Sequence, residues 1–183
     1  AARNRGLDRA VGEFIAFCDA DDYMSPDALE KMVDAIDGAD MVCGSFRKFG
    51  DFEMTVTNET ALLQDWQVAH YVMGNMRNPR SNQLLSGCWA KLYRRSLIGT
   101  FPALTTAEDM ALNFDYLLRC SNVRFIIDVV YHNRKRSGSL STTFDGSNRA
   151  GLFGFLEGLK YVKRYLCEFY PDNEVEDSLD SSK

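Results

Sequence analysis

Three carboxylates within four positions are the residues best suited to chemistry. Asp19, Asp21 and Asp22 follow directly on the apolar run Phe14-Ile15-Ala16-Phe17-Cys18. Carboxylates that close repel one another, and protonation or a cation relieves the repulsion. A hard divalent ion with oxygen ligands, Mn²⁺ or Mg²⁺, suits them, and such an ion usually also carries substrate phosphates. The plainer reading is a solvated acidic turn, with Asp22 favouring the N-terminal dipole of the next helix. A second acidic pair, Glu108-Asp109, opens a predicted helix behind Thr105 and Thr106. Read alone, Asp109 there caps the helix or favours its dipole. His132 is a structural strand-end histidine or a third metal ligand. Arg134, Lys135 and Arg136, followed by Ser137, Ser139 and Ser141, form a basic, Ser-rich loop that reads as solvated surface.

The elements that must position these groups follow from pattern. Phe14 to Cys18, bounded by Gly12 and the acidic cluster, reads as a buried strand. Ser25-Pro26 is a helix start, Leu29, Met32, Val33 and Ile36 fall at helical spacing, and Gly38 ends the helix. Met41 to Phe46 is the next strand, so the opening reads as a βαβ unit. Phe52 to Thr57 alternates like an exposed strand, and Leu62 to Met76 reads as a helix. Cys88 to Tyr93 and Val123 to Tyr131 are strands, the latter after a helix with Met110, Phe114, Leu117 and Leu118 on its apolar side. Arg149 to Tyr170 predicts a long amphipathic helix. Acidic, Ser-rich residues 171–183 predict a poorly ordered tail. The expected organisation is an α/β domain over residues 1–148, a C-terminal helix packed on it over 149–170, and the tail over 171–183.

Composition excludes several classes. The 183 residues allow one domain with a sizeable core. A formal net charge of −5 gives no basic surface for nucleic acid. No apolar run is long enough to span a bilayer. The five cysteines are scattered, with no C-x-x-C pair, so they read as small buried apolar groups in a reducing compartment.

The run Ala2-Arg3-Asn4-Arg5-Gly6-Leu7, then Gly12 to Phe17, Asp19-Ala20-Asp21-Asp22, and Pro26-Leu29-Glu30 resembles the centre of the family-2 glycosyltransferases. There this stretch is an ARN-x-G-L helix, a buried strand and a D-x-D loop. Downstream, Trp89-Ala90-Lys91-Leu92-Tyr93-Arg94-Arg95 is similar to the family's segment before its acceptor site. Gly99, Phe101 and Glu108-Asp109 resemble its G-x-F…E-D stretch, and Arg134 to Ser141 its late basic loop. The resemblance runs in order from Ala2 to Ser141.

That resemblance implies a GT-A (Rossmann-like) fold with a mostly parallel sheet flanked by helices. It implies inverting transfer of a sugar from a UDP- or GDP-linked donor to a saccharide or lipid-linked acceptor, in bacterial surface-polysaccharide assembly. Asp21, with Asp19 and Asp22, would hold the metal and donor, and Arg3 and Asn4 would lie near the nucleotide. Asp109 would be the general base. Glu108, Trp89 and Lys91 would place the acceptor, Trp89 by stacking on a sugar ring unless it is a core residue. Arg134, Arg136 and Ser139 would form a lid over the diphosphate. The resemblance also implies a cytoplasmic protein, with peripheral contact at the inner membrane face, and leaves the oligomeric state open. Each βαβ unit takes roughly 30 residues, and none is visible before Ala1, so the nucleotide-binding units are expected to be missing and this piece alone inactive. Two rival readings are a non-catalytic remnant that only binds, and a phosphotransferase of the haloacid dehalogenase type. Against the second, Tyr23 stands where that family places Thr or Val.

Overall fold

The computed structural model describes residues 2–74, 76, 84, 87–104, 106–135 and 149–180. Helix α1 (Ala2–Arg9) leads to β1 (Phe14–Ala16), β2 (Tyr23–Met24), α2 (Ala28–Asp34) and β3 (Met41–Gly50). Then come β4 (Met54–Val56), β5 (Ala61–Gln64), α3 (Asp65–Gly74) and β6 (Lys91–Arg94), the last running into a 3-10 turn at Arg95–Leu97. Helix α4 (Glu108–Leu117), β7 (Asn122–Lys135), α5 (Arg149–Leu166) and α6 (Asp172–Asp180) complete the chain. None of these helices is long and apolar enough to cross a membrane.

The strands join in the order β1-β6-β3-β7-β2, with β4 on β3 and β5 on β7. Side-chain alternation divides the core between the two faces. Met41 and Cys43 join a large cluster with α3, α4, α5 and α6. Val42 joins a smaller one with Ala28 and Met32 of α2 and Ile36 just beyond it.

The sheet is mixed, not mostly parallel as expected. Among the described residues β3–β7 is the one parallel pairing. The β1-α2-β3 crossover exists, but β6 lies between β1 and β3 and runs antiparallel to both. Continuous apolar runs report burial on both faces and carry no strand direction.

Two further expectations are corrected. The stretch predicted as one helix from Leu62 begins as β5, because Ala61 to Gln64 pair with Asn122 to Phe125 of β7. Edge pairing there outweighs helical spacing. Within the predicted tail, Asp172–Asp180 fold as α6, which buries Val175 and Leu179 and salt-bridges Glu176 to Lys163 of α5 at 2.6 Å. Apolar residues four apart give it a buried stripe that average composition hides. Asp172 and Glu174 in its first turn suit the helix dipole.

Candidate active site

Strand β1 delivers Asp19 just past its end. Helix α1 points Arg3 at it. Helix α4 brings Glu108 and Asp109 from more than a hundred residues away. One guanidinium joins all three carboxylates: Nη2 donates to Asp19 Oδ1 at 2.8 Å, and Nη1 to Asp109 Oδ1 at 2.7 Å and Glu108 Oε1 at 3.1 Å. The side chains are partly sheltered, Asp109 most of all at 21% exposed. Asn4, next on α1, exchanges two hydrogen bonds with the backbone of Phe101, and the Arg3 guanidinium lies 5.3 Å from the Phe101 ring centre. Helix α1 is thus pinned by one residue and reaches the acids with its neighbour. Arg3 and Asn4 were expected near the nucleotide; the structure places them at the junction of the acidic loop and the Glu-Asp pair.

Asp109 does not follow the capping reading. The N-cap of α4 is Ala107, in the left-handed region at φ 61°, with no side-chain cap. Thr106, an expected cap, donates its hydroxyl to the Gly151 carbonyl of α5. The Asp109 carboxyl is pushed above the usual carboxylate range, chiefly by burial. Arg3 opposes the shift and Glu108 adds to it.

The three loop aspartates differ in their bonding. Asp22 is held from β7: Oδ2 accepts from the Tyr131 hydroxyl at 2.9 Å and from Asn133 Nδ2 at 2.8 Å, and Oδ1 from the Arg134 backbone N–H at 2.7 Å. The Tyr131 hydroxyl also accepts from the Asp19 backbone N–H at 3.0 Å. Asp22 therefore shapes the loop with both oxygens. Asp21 is exposed at the turn. Among the described residues no three His, Cys, Asp or Glu side chains converge as a ready-made cation cage. The loop still suits a hard divalent ion, since such ions bind through one or two carboxylates and complete their shell with phosphate oxygens and water. Asp19 and Asp21 are the loop carboxylates that could hold one.

Other predicted residues lie elsewhere. Trp89 stacks on Tyr131 at 5.1 Å with 13° between the rings and meets Phe46 edge-on, so its faces serve packing. Lys91 is buried and donates to the Gly87 carbonyl at 2.7 Å, inside the fold rather than at the surface. His132 faces away from Asp22, on the side of β7 opposite Tyr131 and Asn133. It stacks on Tyr23 at 4.4 Å and meets Ser25 Oγ at 3.1 Å, and burial, with Arg47, pushes its pKa down. Ser25, expected to cap α2, donates instead to the Val129 carbonyl. The Arg134 side chain lies over the Phe49 ring. Arg136 and Ser139 fall outside the described residues. Cys18 is exposed, against the expectation that every cysteine is buried, and all five thiols are unpaired. Sequence reading missed Tyr131 and Asn133. Their signal was polar character at alternate positions of an otherwise apolar strand.

A family model for glycosyl transferase family 2 matches residues 1–100. The EpsH protein of Bacillus subtilis, named as a glycosyltransferase, is 33% identical over 150 residues, covering 76% of this chain and 42% of that protein. The cholesterol galactosyltransferase of Borreliella burgdorferi is 26% identical over 203 residues, covering 93% of this chain and 54% of that one. The chain thus spans about half the length of these relatives. Among solved structures, TarS of S. aureus in complex with UDP-GlcNAc superposes with a TM-score of 0.68 at 22% identity, over 98% of this chain and 50% of TarS. That likeness shows the fold, an α/β arrangement of the GT-A type. With the family match spanning the acidic loop and the helix that carries Arg3, the chain belongs to glycosyltransferase family 2.

Proposed function

We propose that this chain carries the donor loop and the general base of an inverting nucleotide-sugar glycosyltransferase of bacterial surface-polysaccharide synthesis. The observation that carries the reading is the convergence of Asp19 with Glu108 and Asp109 on one guanidinium, across 105 and 106 residues of sequence from Arg3 to the pair. A loop fit for a diphosphate and a sheltered carboxylate fit for a proton lie within one side chain of each other.

Asp109 takes the proton of an acceptor hydroxyl as that oxygen bonds to the anomeric carbon. The anomeric carbon–phosphate oxygen bond breaks on the opposite face, and the nucleoside diphosphate leaves with the electron pair. Configuration inverts in one displacement, with no covalent enzyme intermediate. Glu108 shares Arg3 with Asp109 and orients it. Asp21 and Asp19 would hold a Mn²⁺ or Mg²⁺ ion, which when bound offsets charge on the departing diphosphate. A UDP-linked hexose or N-acetylhexosamine is the favoured donor, supported by the UDP-GlcNAc complex of TarS and the galactosyl transfer named for the Borreliella relative. The acceptor is a saccharide or lipid-linked hydroxyl, met on the cytoplasmic side, where five unpaired thiols stay reduced.

The test is calorimetric titration of UDP and GDP, with and without Mn²⁺. It uses these 183 residues and the longest natural polypeptide that contains them. Metal-dependent binding to the longer protein is expected. Asp21→Ala should weaken it at least tenfold, and Asp109→Asn should leave it nearly intact while lowering the transfer rate by about 1,000-fold. Full Mn²⁺ and nucleotide affinity in Asp21→Ala would overturn the metal assignment, and equal loss of binding in Asp109→Asn would overturn the base.

A further inference from the structure

The resemblance assigns Arg3 to the nucleotide, but the geometry points to a different job, and the inference rests on the reading just given. We propose that Arg3 is the positioning residue of the transfer step: it fixes the base Asp109 relative to the donor loop, rather than binding the donor.

Both terminal nitrogens of Arg3 are committed to carboxylates, one to the loop and the other to the Glu-Asp pair. Its helix is fixed independently by Asn4 on the Phe101 backbone, at 3.0 Å and 2.8 Å. The guanidinium is further seated against the Phe101 ring. Asp109 needs such a tether. Its helix starts at a left-handed Ala107 with no side-chain cap, and although α5 packs on the backbone of that turn, it is Arg3 that ties the Asp109 carboxylate to the loop. Three carboxylates would otherwise spread apart, and one planar fork with donors on two ends holds them at set spacings. A lysine carries the same charge on a single nitrogen and cannot span loop and pair together. Proton abstraction depends on placement: a displacement of about 1 Å costs about 100-fold in rate. Donor affinity, by contrast, rests on the loop, whose backbone course is held from β7 by Tyr131, Asn133 and the Arg134 backbone, while Arg3 meets that loop at the Asp19 carboxylate alone.

The experiment compares wild type, Arg3→Gln and Arg3→Lys in the longest natural polypeptide. The probes are Mn²⁺ with the nucleotide that binds in the titration above, and single-turnover consumption of the matching UDP- or GDP-sugar. Absence of turnover in wild type would be a failure of the proposed function, seen before any variant is compared. Given wild-type turnover, both variants should lose about 100-fold in rate with nucleotide Kd changed less than threefold, and Lys should not rescue. In an Asp109→Asn background, Arg3→Gln should cost nothing further, since the residue it positions is gone. A rise in Kd that accounts for the rate loss would make Arg3 a donor ligand and overturn the proposal. So would full activity in Arg3→Lys, or multiplicative losses in the double variant. Circular dichroism of each variant guards against misfolding, and Arg3→Lys, which keeps the charge, serves where Arg3→Gln does not fold.

Discussion

Asp21 and Asp22 are neighbours in sequence with opposite fates. Asp22 accepts three hydrogen bonds from β7 and cannot turn outward without abandoning them, whereas Asp21 stands exposed beside it. Burial and the bonds from β7 thus distinguish two aspartates that sequence spacing leaves equivalent. Removing the strut tests this. Tyr131→Phe deletes a hydroxyl that donates to Asp22 and accepts from the Asp19 N–H. It should cost about 1–3 kcal/mol of stability, the range for a sheltered group left unpaired. It should also weaken Mn²⁺-dependent nucleotide binding; unchanged affinity would show the loop holds its shape without the strut. Titration belongs to this scale too. Burial raises the Asp109 pKa and Arg3 holds the rise back. In the proposed role as base Asp109 works ionised, so kcat/KM should be full above that pKa and fall as pH drops through it. Its acid limb should lie above about 3.9, the ordinary Asp value, and Arg3→Gln should move it further up. A limb that moves down would contradict the electrostatic account.

At the scale of elements, α4 is set by what packs on it. Gly154 and Gly158 of α5 face the turn that opens α4. A Cβ at Gly154 would strike the Thr106 hydroxyl and sit 2.9 Å from its carbonyl oxygen, and one at Gly158 would come within 2.9 Å of the Ala107 Cβ. These glycines let α5 approach closely, and Thr106 secures the approach through the Gly151 carbonyl. Gly154→Ala should therefore destabilise the fold by about 1–3 kcal/mol despite alanine's better helix propensity. Because Thr106-Ala107 leads straight into Glu108-Asp109, it should lower transfer as well. A stabilised, fully active variant would refute the close packing. Periodicity located α4 and α5 well, since their apolar stripes are long. It did not reveal which glycines mark contact, because a missing side chain has the same sequence signature whether space or a neighbour lies opposite. Nor did it reveal that Thr106 serves α5 instead of capping α4, because capping chemistry is local and this bond spans 45 residues.

For the whole molecule, the gap between sequence and structure is topological. Strands β1, β3, β6 and β7 were legible in the apolar runs, whereas β2 was read as loop and β5 as the start of a helix. The insertion of β6 between β1 and β3 was not, since nothing in Lys91 to Arg94 encodes its neighbours. The acidic residues of the site were legible and the family resemblance singled out Arg3, but the contact of Arg3 with all three carboxylates was not legible, since it spans up to 106 residues of sequence. The C-terminal helix α6 shows the cost of averaging: an acidic stretch with two apolar residues in register is enough to dock. Leu179→Ala, deleting one of those two buried contacts, should lower stability by roughly 2 kcal/mol, measurable by urea unfolding. No change would mean α6 contributes nothing to the fold.

The long parallel pairing of β3 with β7 also sets a tempo for folding. It joins Met41 to Val123 and continues to Gly50 and Lys135, so its partners lie more than eighty residues apart in sequence. Loop closure on that scale must precede any reward from pairing, which places such a fold among slow, late-condensing topologies. The bonds that shape the donor loop lie across a still wider span, from Asp22 to Tyr131, Asn133 and Arg134. On a refolding time course, nucleotide binding should therefore return with the slowest phase, after helical signal has recovered.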